Sequence, residues 1–448
     1  MGETETFAQY LTDLDYSSIP STLLEVMTVL LFDYLGVALG GIQTESGRIA
    51  AEFSKDFGEK GEATIIGFGY RVSAPTAAFA NAILSHSIEL DDVDSLSYIH
   101  FGPPIISAAL AMAERGKVDG KDLLVSLVAG CDITARLSLA INPSHRDRGF
   151  HTTSNCGVFG AAAASGKLLH LKEREMVSTL GLAGAQASGL MEFFGTSMQK
   201  RFNPGPAARG GTVSALLAQR GFTGSETILE GDRGFLKAYS DHSDRKKLVN
   251  GLGREFPIFI EYKPYACVRP VHNAIDCVFE LKHKYPIEPS EISGIRVFRH
   301  PAWADYHNIK KPRTFHEAQV SLPYSVAVAF VEGRAFPSEY SEEKLRDPLI
   351  QKLSEMVEIE AAHDLPRGVS CRMEVVLRNR SKYSCQVDYP KGSIQNPLTR
   401  DEMRGKFRSL TSAFLDDRKQ EEVERIVFEM EKLKDVSALI RLVAQRDR

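Results

Sequence analysis

The apolar residues ahead of Pro257 recur with the period of buried helices. The first apolar stripe begins after Pro20, which suits a first helical turn, and it stops at Gly40 and Gly41. Its members are Leu24, Met27, Leu31, Tyr34, Leu35 and Ala38. The same period predicts further helices over Pro75–Ser85, Pro103–Arg115, Lys121–Leu139, Gly157–Leu169, Glu175–Leu190 and Ala207–Arg220. Several of these segments are rich in small residues, so we expect their axes to pack closely at the centre of a bundle.

After Pro257 the pattern changes to short β-branched or alternating runs, several of them bounded by Pro, Gly or Asn. These runs lie at Ile258–Tyr262, Ile292–Phe298, Met373–Arg378 and Ser384–Tyr389. Two helices are predicted between them, over Val271–Lys284 and His316–Val331. The pattern therefore predicts a small α+β unit set into the helical body.

The last part of the chain is again helical in pattern and strongly charged, over Asp401–Leu415 and Gln420–Gln445. We predict a mainly α protein with three segments. Residues 1–256 form the first part of a helical domain, residues 257–395 form an α+β domain, and residues 396–448 return to the helical domain.

The composition excludes some classes of partner. The 448 residues carry a formal net charge of −4, which is too small to steer the protein to nucleic acid or membrane. The six cysteines show no CxxC pair, which indicates reduced thiols and neither a disulfide framework nor a zinc site. The N-terminus has no secretory or transit pattern, and the run Leu23–Leu39 is too short and too polar for a membrane span. We therefore expect a soluble, cytoplasmic protein.

The strongest chemical signal is an acidic run between His86 and His100. Its carboxylates are Glu89, Asp91, Asp92 and Asp94, and no cation occurs between Glu89 and Arg115. Because neighbouring like charges repel and raise each other's pKa, the run is more typical of a site than of a solvated face. Three roles stay open: metal binding, acid–base catalysis by His100, and a structural cap before the helix at Pro103. Without an HxH, HxxxH or CxxC pair, we predict no metal ligands.

Two later segments carry polar side chains next to small-residue helices. His151 precedes Thr152, which indicates either simple helix capping or a carboxylate site at a helix N-terminus with an imidazole beside it. Lys200 and Arg201 lie between two predicted buried helices, so they are either solvated charges or ligands for an anionic substrate. The glycines around them match neither GxGxxG nor a P-loop, which argues against nucleotide binding.

A third polar segment opens the second part of the chain with Lys263, Arg269 and His272. Cys267 within it has no partner in a nucleophile motif and is predicted to be a buried small residue. The three segments together suggest a pocket that binds a small polycarboxylate and moves a proton next to one carboxylate. Fixed cations and helix N-termini would stabilise the enolate-like charge that such a reaction develops.

In their order along the chain, these segments resemble the MmgE/PrpD family, which includes 2-methylcitrate dehydratases, cis-aconitate decarboxylases and iminodisuccinate epimerase. The matching pieces are His86, Asp91-Asp92, His100, Gly149–Ser154, Gly157–Gly160, Gly195-Thr196, Lys200-Arg201, Asn203–Gly205, Gly221–Gly224, Lys263–Tyr265, His272, Glu317-Ala318 and Ser321–Tyr324. Each piece is weak alone, but the ordered set is specific and covers nearly the whole chain.

The resemblance implies a helical domain built from both chain ends, a smaller α+β domain, a cleft between them and a homodimer. It also implies catalysis without a metal or organic cofactor. The family's site residues fall on Glu89, Asp91, Asp92, His100, His151, Lys200 and His272, with Tyr306 as a further candidate. The chain has Glu89, Val93 and Asn203 where many members have Asp, Thr and His, and these differences suggest an altered substrate.

The preferred hypothesis is a cofactor-independent lyase that acts on a citrate-like or alkenyl di- or tricarboxylate, with loss of water ahead of loss of CO2. His100 or His151 would be the general acid or base, and Asp91 and Asp92 would orient the imidazoles. Lys200 and His272 complete the predicted catalytic set, and the substrate-binding residues would be Glu89, Arg201, Lys263, Arg269 and Tyr306. An epimerase using His151 and Lys200 on opposite faces, and a non-catalytic carboxylate-binding protein, are the alternatives.

Overall fold

A computed structural model describes residues 2–58, 60–193, 197–366, 368 and 370–444. The structure is 56% helical and 9% strand, so the prediction of a mainly α protein with some sheet is confirmed. The helices ahead of residue 257 that are longer than six residues are Glu3–Asp13, Ser21–Gly41, Glu45–Lys55, Ala74–His86, Ser107–Gly116, Gly120–Ile141, Gly157–Leu168, Glu173–Gly184 and Pro204–Ala218. Shorter ones are Ser144–Asp147, Thr152–Asn155, Gln199–Phe202, Phe235–Tyr239 and Lys246–Val249.

Small residues do bring the central helices close together. A Cβ atom placed on Gly160 would lie 2.0 Å from the Thr134 hydroxyl, and one on Gly211 would lie 2.5 Å from the Ala162 amide nitrogen. Larger side chains at these glycines would therefore push apart helices Gly120–Ile141, Gly157–Leu168 and Pro204–Ala218.

Two predicted helix limits are wrong. The helix predicted over Glu175–Leu190 ends at Gly184, because the chain then turns through Gly189, with φ of +132°, and pairs Leu190 with Phe150. The helix predicted from Pro103 begins with one turn of π-helix, Gly102–Ile106, before the regular helix starts at Ser107.

The second part of the chain contains a four-stranded sheet of order Val357–Ala361, Ile292–Arg299, Cys371–Leu377, Lys382–Val387. The first pair is parallel and the others are antiparallel. The strand Val357–Ala361 was not predicted, and neither was the small hairpin of Ala63–Thr64 with Arg71–Val72. The strand predicted over Ile258–Tyr262 is wrong, since only Glu261 pairs there, with Val93.

The second part of the chain also contains helices, and the helix His272–Lys284 packs against the sheet. His272–Lys284 agrees with the prediction, but the helix predicted over His316–Val331 is two helices, Phe315–Gln319 and Leu322–Glu332. The break falls at Ser321, whose hydroxyl caps the second helix at the Tyr324 amide. The remaining helices of this part are Pro301–Ala304, Glu342–Leu345 and Pro348–Met356.

The C-terminal part forms helices Arg400–Thr411, Asp417–Phe428 and Ser437–Val443, where two longer helices were predicted. Phe407 stacks on Phe32 with ring centroids 4.4 Å apart. These helices therefore share a hydrophobic core with the first part of the chain, while a second core fills the α+β unit.

Two helices, Ser21–Gly41 and Gly120–Ile141, are long and apolar enough to cross a membrane by length and composition, so the sequence argument against a span at Leu23–Leu39 is wrong on those criteria. Their apolar windows are 72% and 94% buried inside the structure. Both are core helices of this fold, and they give weak support for membrane insertion.

Candidate active site

The acidic run is buried, in contrast to a solvated face. It follows helix Ala74–His86 and lies between the two hydrophobic cores, with Ile88 and Leu90 packed in the second. Glu89 adopts φ of +56°, which turns the chain back on itself. A non-glycine residue in this conformation costs stability, and such residues often occur at functional sites.

Asp91 is the centre of a histidine–carboxylate group. Its Oδ2 lies 2.7 Å from His86 Nδ1 and 2.9 Å from His100 Nδ1, and its Oδ1 lies 3.7 Å from the Lys263 ammonium. Burial alone would raise the pKa of Asp91, but the two imidazoles and Lys263 outweigh it and hold this pKa well below its usual value. Asp91 is therefore an ionised hydrogen-bond partner of both rings.

Asp92 holds the start of the next helical turn. Its two carboxylate oxygens accept hydrogen bonds from the Phe101 and Gly102 amides at 2.7 and 2.9 Å. Burial and the charge of Asp91 raise the pKa of Asp92 to about 7, while His100 and the two amides oppose this shift. Asp92 therefore acts as a cap that fixes the loop containing His100.

The hydrogen bonds of His100 determine its tautomer. Its Nδ1 lies 2.5 Å from the backbone oxygen of Asp92, and a carbonyl oxygen can only accept. The hydrogen of the neutral ring is therefore on Nδ1, and Nε2 keeps its lone pair. His100 is thus placed to accept a proton or a hydrogen bond at Nε2.

His151 has the opposite tautomer because of Asn203. The Asn203 amide nitrogen lies 3.3 Å from the Leu190 carbonyl, which identifies it as the donor end, and 3.2 Å from His151 Nδ1. Nδ1 of His151 therefore accepts, and Nε2 carries the hydrogen. Burial, followed by the neighbouring imidazoles and Lys200, keeps the pKa of His151 well below its usual value, so the ring is neutral.

Three cations converge on the buried carboxylate of Glu89. Lys200 and Arg201 form close ion pairs with its two oxygens, and Lys263 lies 3.2 Å from Oε1. Burial would raise the pKa of Glu89, but these charges hold it well below its usual value. Burial lowers the pKa of Lys200 to about 8. Arg201 also bonds Gln319, which joins the helical body to the α+β unit.

A small cavity adjoins these cations. It is lined by Phe193, Ser197, Lys200, Arg201, Val268, His316 and Val320. His316 Nδ1 is buried without a hydrogen-bond partner among the described residues. Sequence reasoning missed His316, because a single histidine at the start of an apolar helix carries no signal by itself. The cavity therefore combines two cations with an imidazole that has an unused nitrogen.

The structure brings most predicted site residues together, but not all. His272 is buried between Arg269 and the Cys267 carbonyl, at 3.1 Å from each, and Arg269 pairs with Glu261 at 2.8 Å. No described hydrogen bond or ion pair joins His272 or Arg269 to Glu89 or to the histidine–carboxylate group. Cys267 is buried as predicted.

Other predicted residues lie at the edge of the site or beyond the described part. Tyr306 is 60% exposed and packs on Trp303. Gly195 and Thr196 are outside the described residues. His86, which the sequence placed at the edge of the acidic run, is a buried partner of Asp91.

The group of His86, Asp91 and His100 is also the arrangement most like a metal site, with ligand-type atoms within 4.8 Å of one another. His100 Nδ1, however, carries a hydrogen and donates it to a carbonyl. In this arrangement that nitrogen has no lone pair for a metal ion, and both imidazole Nδ1 atoms point at the carboxylate oxygen. Asp91 is therefore better suited to orient the rings of His86 and His100 than to share a metal ion with them.

The fold and site define a mainly helical protein with a buried carboxylate, imidazole and cation centre. The chain belongs to the MmgE/PrpD family: residues 5–247 match the MmgE/PrpD N-terminal domain and residues 265–432 match the C-terminal domain. The resemblance found in the sequence is thus confirmed.

Individual relatives match over nearly their full length. A cis-aconitate decarboxylase of Aspergillus terreus is 28% identical, over 99% of this chain and 96% of that protein. The cis-aconitate decarboxylases of Homo sapiens and Mus musculus are 26% and 25% identical, each over 98% of this chain and over 94% and 93% of their own lengths.

Proposed function

We propose that this protein is a lyase that acts on a small unsaturated polycarboxylate, with loss of CO2 as the first candidate reaction. The observation that supports it is a cavity lined by Lys200 and Arg201, whose wall residue Phe193 packs on the ring of His151. Nε2 of that ring carries a hydrogen. The similarity to cis-aconitate decarboxylases favours loss of CO2 over the loss of water that the sequence alone suggested.

In this reaction the bond to the departing carboxylate breaks and its electron pair stays on the carbon skeleton. The charge spreads onto a remaining carboxylate, where Arg201 and the Nε2 hydrogen of His151 would stabilise it. The carbon then needs a proton. Lys200 lines the cavity, and its pKa of about 8 suits a proton donor near neutral pH.

Loss of water is the second candidate, and one observation favours it. Because Nδ1 of His100 donates to the Asp92 carbonyl, Nε2 is the nitrogen of this ring that can act as a base, which elimination needs and which loss of CO2 does not require. A His100→Gln variant therefore separates the two reactions: it should abolish water loss and leave CO2 release largely intact.

The test offers purified protein cis-aconitate, citrate and 2-methylcitrate, with and without a chelator. CO2 release from cis-aconitate, followed by NMR of the acid, is the expected result, and Lys200→Met should lower its kcat by about 10²-fold or more. Formation of unsaturated acid from citrate or 2-methylcitrate would favour the second candidate. The absence of both products would contradict the proposal.

A further inference from the structure

The three buried cations of the site already share a carboxylate partner inside the protein. Lys200, Arg201 and Lys263 all bind Glu89, and Lys263 also lies near Asp91. Counting these five groups gives three positive and two negative charges, a surplus of one. A ligand with two or three carboxylates therefore needs a further cation that is not neutralised by the protein.

Arg146 meets this need. It lies in the short helix Ser144–Asp147, it is half-buried, and its guanidinium has no hydrogen bond or ion pair with any described residue. Its guanidinium carbon lies 5.3 Å from the centre of the Tyr98 ring, which holds it by a cation–π contact. The nearby Arg148, by comparison, is paired with Asp241 at 3.3 Å.

Arg146 is close, along the chain or through Tyr98, to the segments that carry the two imidazoles of the proposed site, His100 and His151. Tyr98 belongs to the bridged turn Asp94–Ile99, which leads directly into His100, and Arg146 precedes His151 by five residues. The charge of Arg146 contributes to lowering the pKa of His151.

Arg146 is also within electrostatic reach of the α+β unit. Burial lowers the pKa of Arg146, and Tyr98, Asp147 and, to the smallest extent, Tyr306 of the α+β unit oppose this shift.

We propose that Arg146, held on Tyr98, binds one carboxylate of the substrate at the entrance of the site and so selects for the polycarboxylate. This inference rests on the proposed function for the class of ligand. Its chemistry is a guanidinium fork that donates two parallel hydrogen bonds to a carboxylate. It adds a residue that the acidic run, the cavity lining and the family resemblance did not indicate.

The test measures ligand binding by calorimetry, without turnover. The ligands are propane-1,2,3-tricarboxylate and two analogues that each lack one carboxylate, glutarate and 2-methylsuccinate. Arg146→Gln should weaken binding of the tricarboxylate by about tenfold or more and should have little effect on the analogue that lacks the matching carboxylate. Arg146→Lys should recover only part of the loss, because an ammonium cannot form the paired bonds.

Arg148→Gln is the matched control, since it removes a cation from the same loop that already has a partner. The inference would be overturned if Arg146→Gln bound each of the three ligands as tightly as wild type does. It would also be overturned if the variant lost the same affinity for all three ligands, or if wild type bound none of them. Arg146-dependent binding without any turnover would sustain the inference and contradict only the lyase proposal. Turnover with a KM that Arg146→Gln leaves unchanged would support the lyase proposal and contradict the role of Arg146.

Discussion

Asn203 decides which nitrogen of His151 carries the hydrogen, because its amide donates to Nδ1. Asn203→Asp replaces that donor with an acceptor, so the ring should reverse its tautomer and lose the N–H that points away from residue 203. We expect kcat to fall by about 10²-fold or more while KM changes little. Nitrogen NMR of the labelled imidazole, together with steady-state kinetics, checks both parts.

The matched control is Asn142→Asp, since this amide also donates to a carbonyl, that of Ser138, but contacts no imidazole. It should retain both the tautomer of His151 and the wild-type kcat. An Asn203→Asp enzyme with an unchanged tautomer and a kcat within threefold of wild type would contradict the assignment.

Lys200 gives the site a pH dependence of defined sign. Burial lowers the pKa of its ammonium to about 8, so the group is charged below that pH and neutral above it. Affinity for propane-1,2,3-tricarboxylate should therefore fall as the pH rises through about 8. Lys200→Arg keeps its charge well beyond this range, so its binding should stay level between pH 7 and 9. The same alkaline loss in both proteins would assign the titration to another group.

At the scale of elements, the loop between helix Ala74–His86 and the π-turn at Gly102–Ile106 contains a buried anionic stretch, Glu89–Asp94, that the cations hold in place. Removing its central charge with Glu89→Gln leaves Lys200, Arg201 and Lys263 without their shared partner. Breaking a buried ion pair on one side costs about 3–5 kcal/mol, so the thermal midpoint should fall. An added tricarboxylate should restore part of the stability, because it can neutralise the same cations.

Asp132→Asn provides the comparison, because it breaks the buried pair of Asp132 with Arg136 inside helix Gly120–Ile141, among residues that do not line the cavity. Its midpoint should also fall, but the tricarboxylate should stabilise it no more than wild type. Differential scanning calorimetry measures how much the tricarboxylate raises the thermal midpoint of each variant. An equal rise for Glu89→Gln and Asp132→Asn would show that the ligand does not bind the cations that Glu89 neutralises.

Element types followed from the sequence better than element ends did. The apolar period located helices such as Gly157–Leu168 to within one residue, because their buried faces are continuous. It failed at His316–Val331 and at Ile258–Tyr262, where a local hydroxyl cap and the pairing of Glu261 with Val93 decide the conformation. The same limit applies to the site. Charge clustering identified Asp91 and His100, but contacts such as Arg146 with Tyr98 depend on how distant segments pack.

At the scale of the whole molecule, the two ends of the chain meet next to the site. Lys406, in the C-terminal helix Arg400–Thr411, lies 2.6 Å from Asp33 and 2.8 Å from the Leu90 carbonyl, inside the acidic loop. Sequence patterns suggested that this helix returns to the first domain, but a pairing across 373 residues has no local signal. Dimerisation, which only the family resemblance suggests, stays a prediction for analytical ultracentrifugation.

The contact of Lys406 predicts coupling between the fold and the site. Lys406→Met leaves Asp33 buried without its cation and should lower the free energy of unfolding by about 3–5 kcal/mol in a urea titration. Arg408→Gln in the same helix removes a long surface pair with Glu421 and should change it by no more than about 0.5 kcal/mol.

The double variant Asp33→Leu/Lys406→Met separates stability from activity. Replacing both partners of a buried pair by apolar residues is often neutral, so most of the stability should return. The Leu90 carbonyl would still lack its donor, and the loop that contains Glu89 and Asp91 would lose a fixed point. The activity of the double variant should therefore be lower than that of wild type, although its free energy of unfolding recovers. Full recovery of both would show that the C-terminal helix supports the fold without positioning the site.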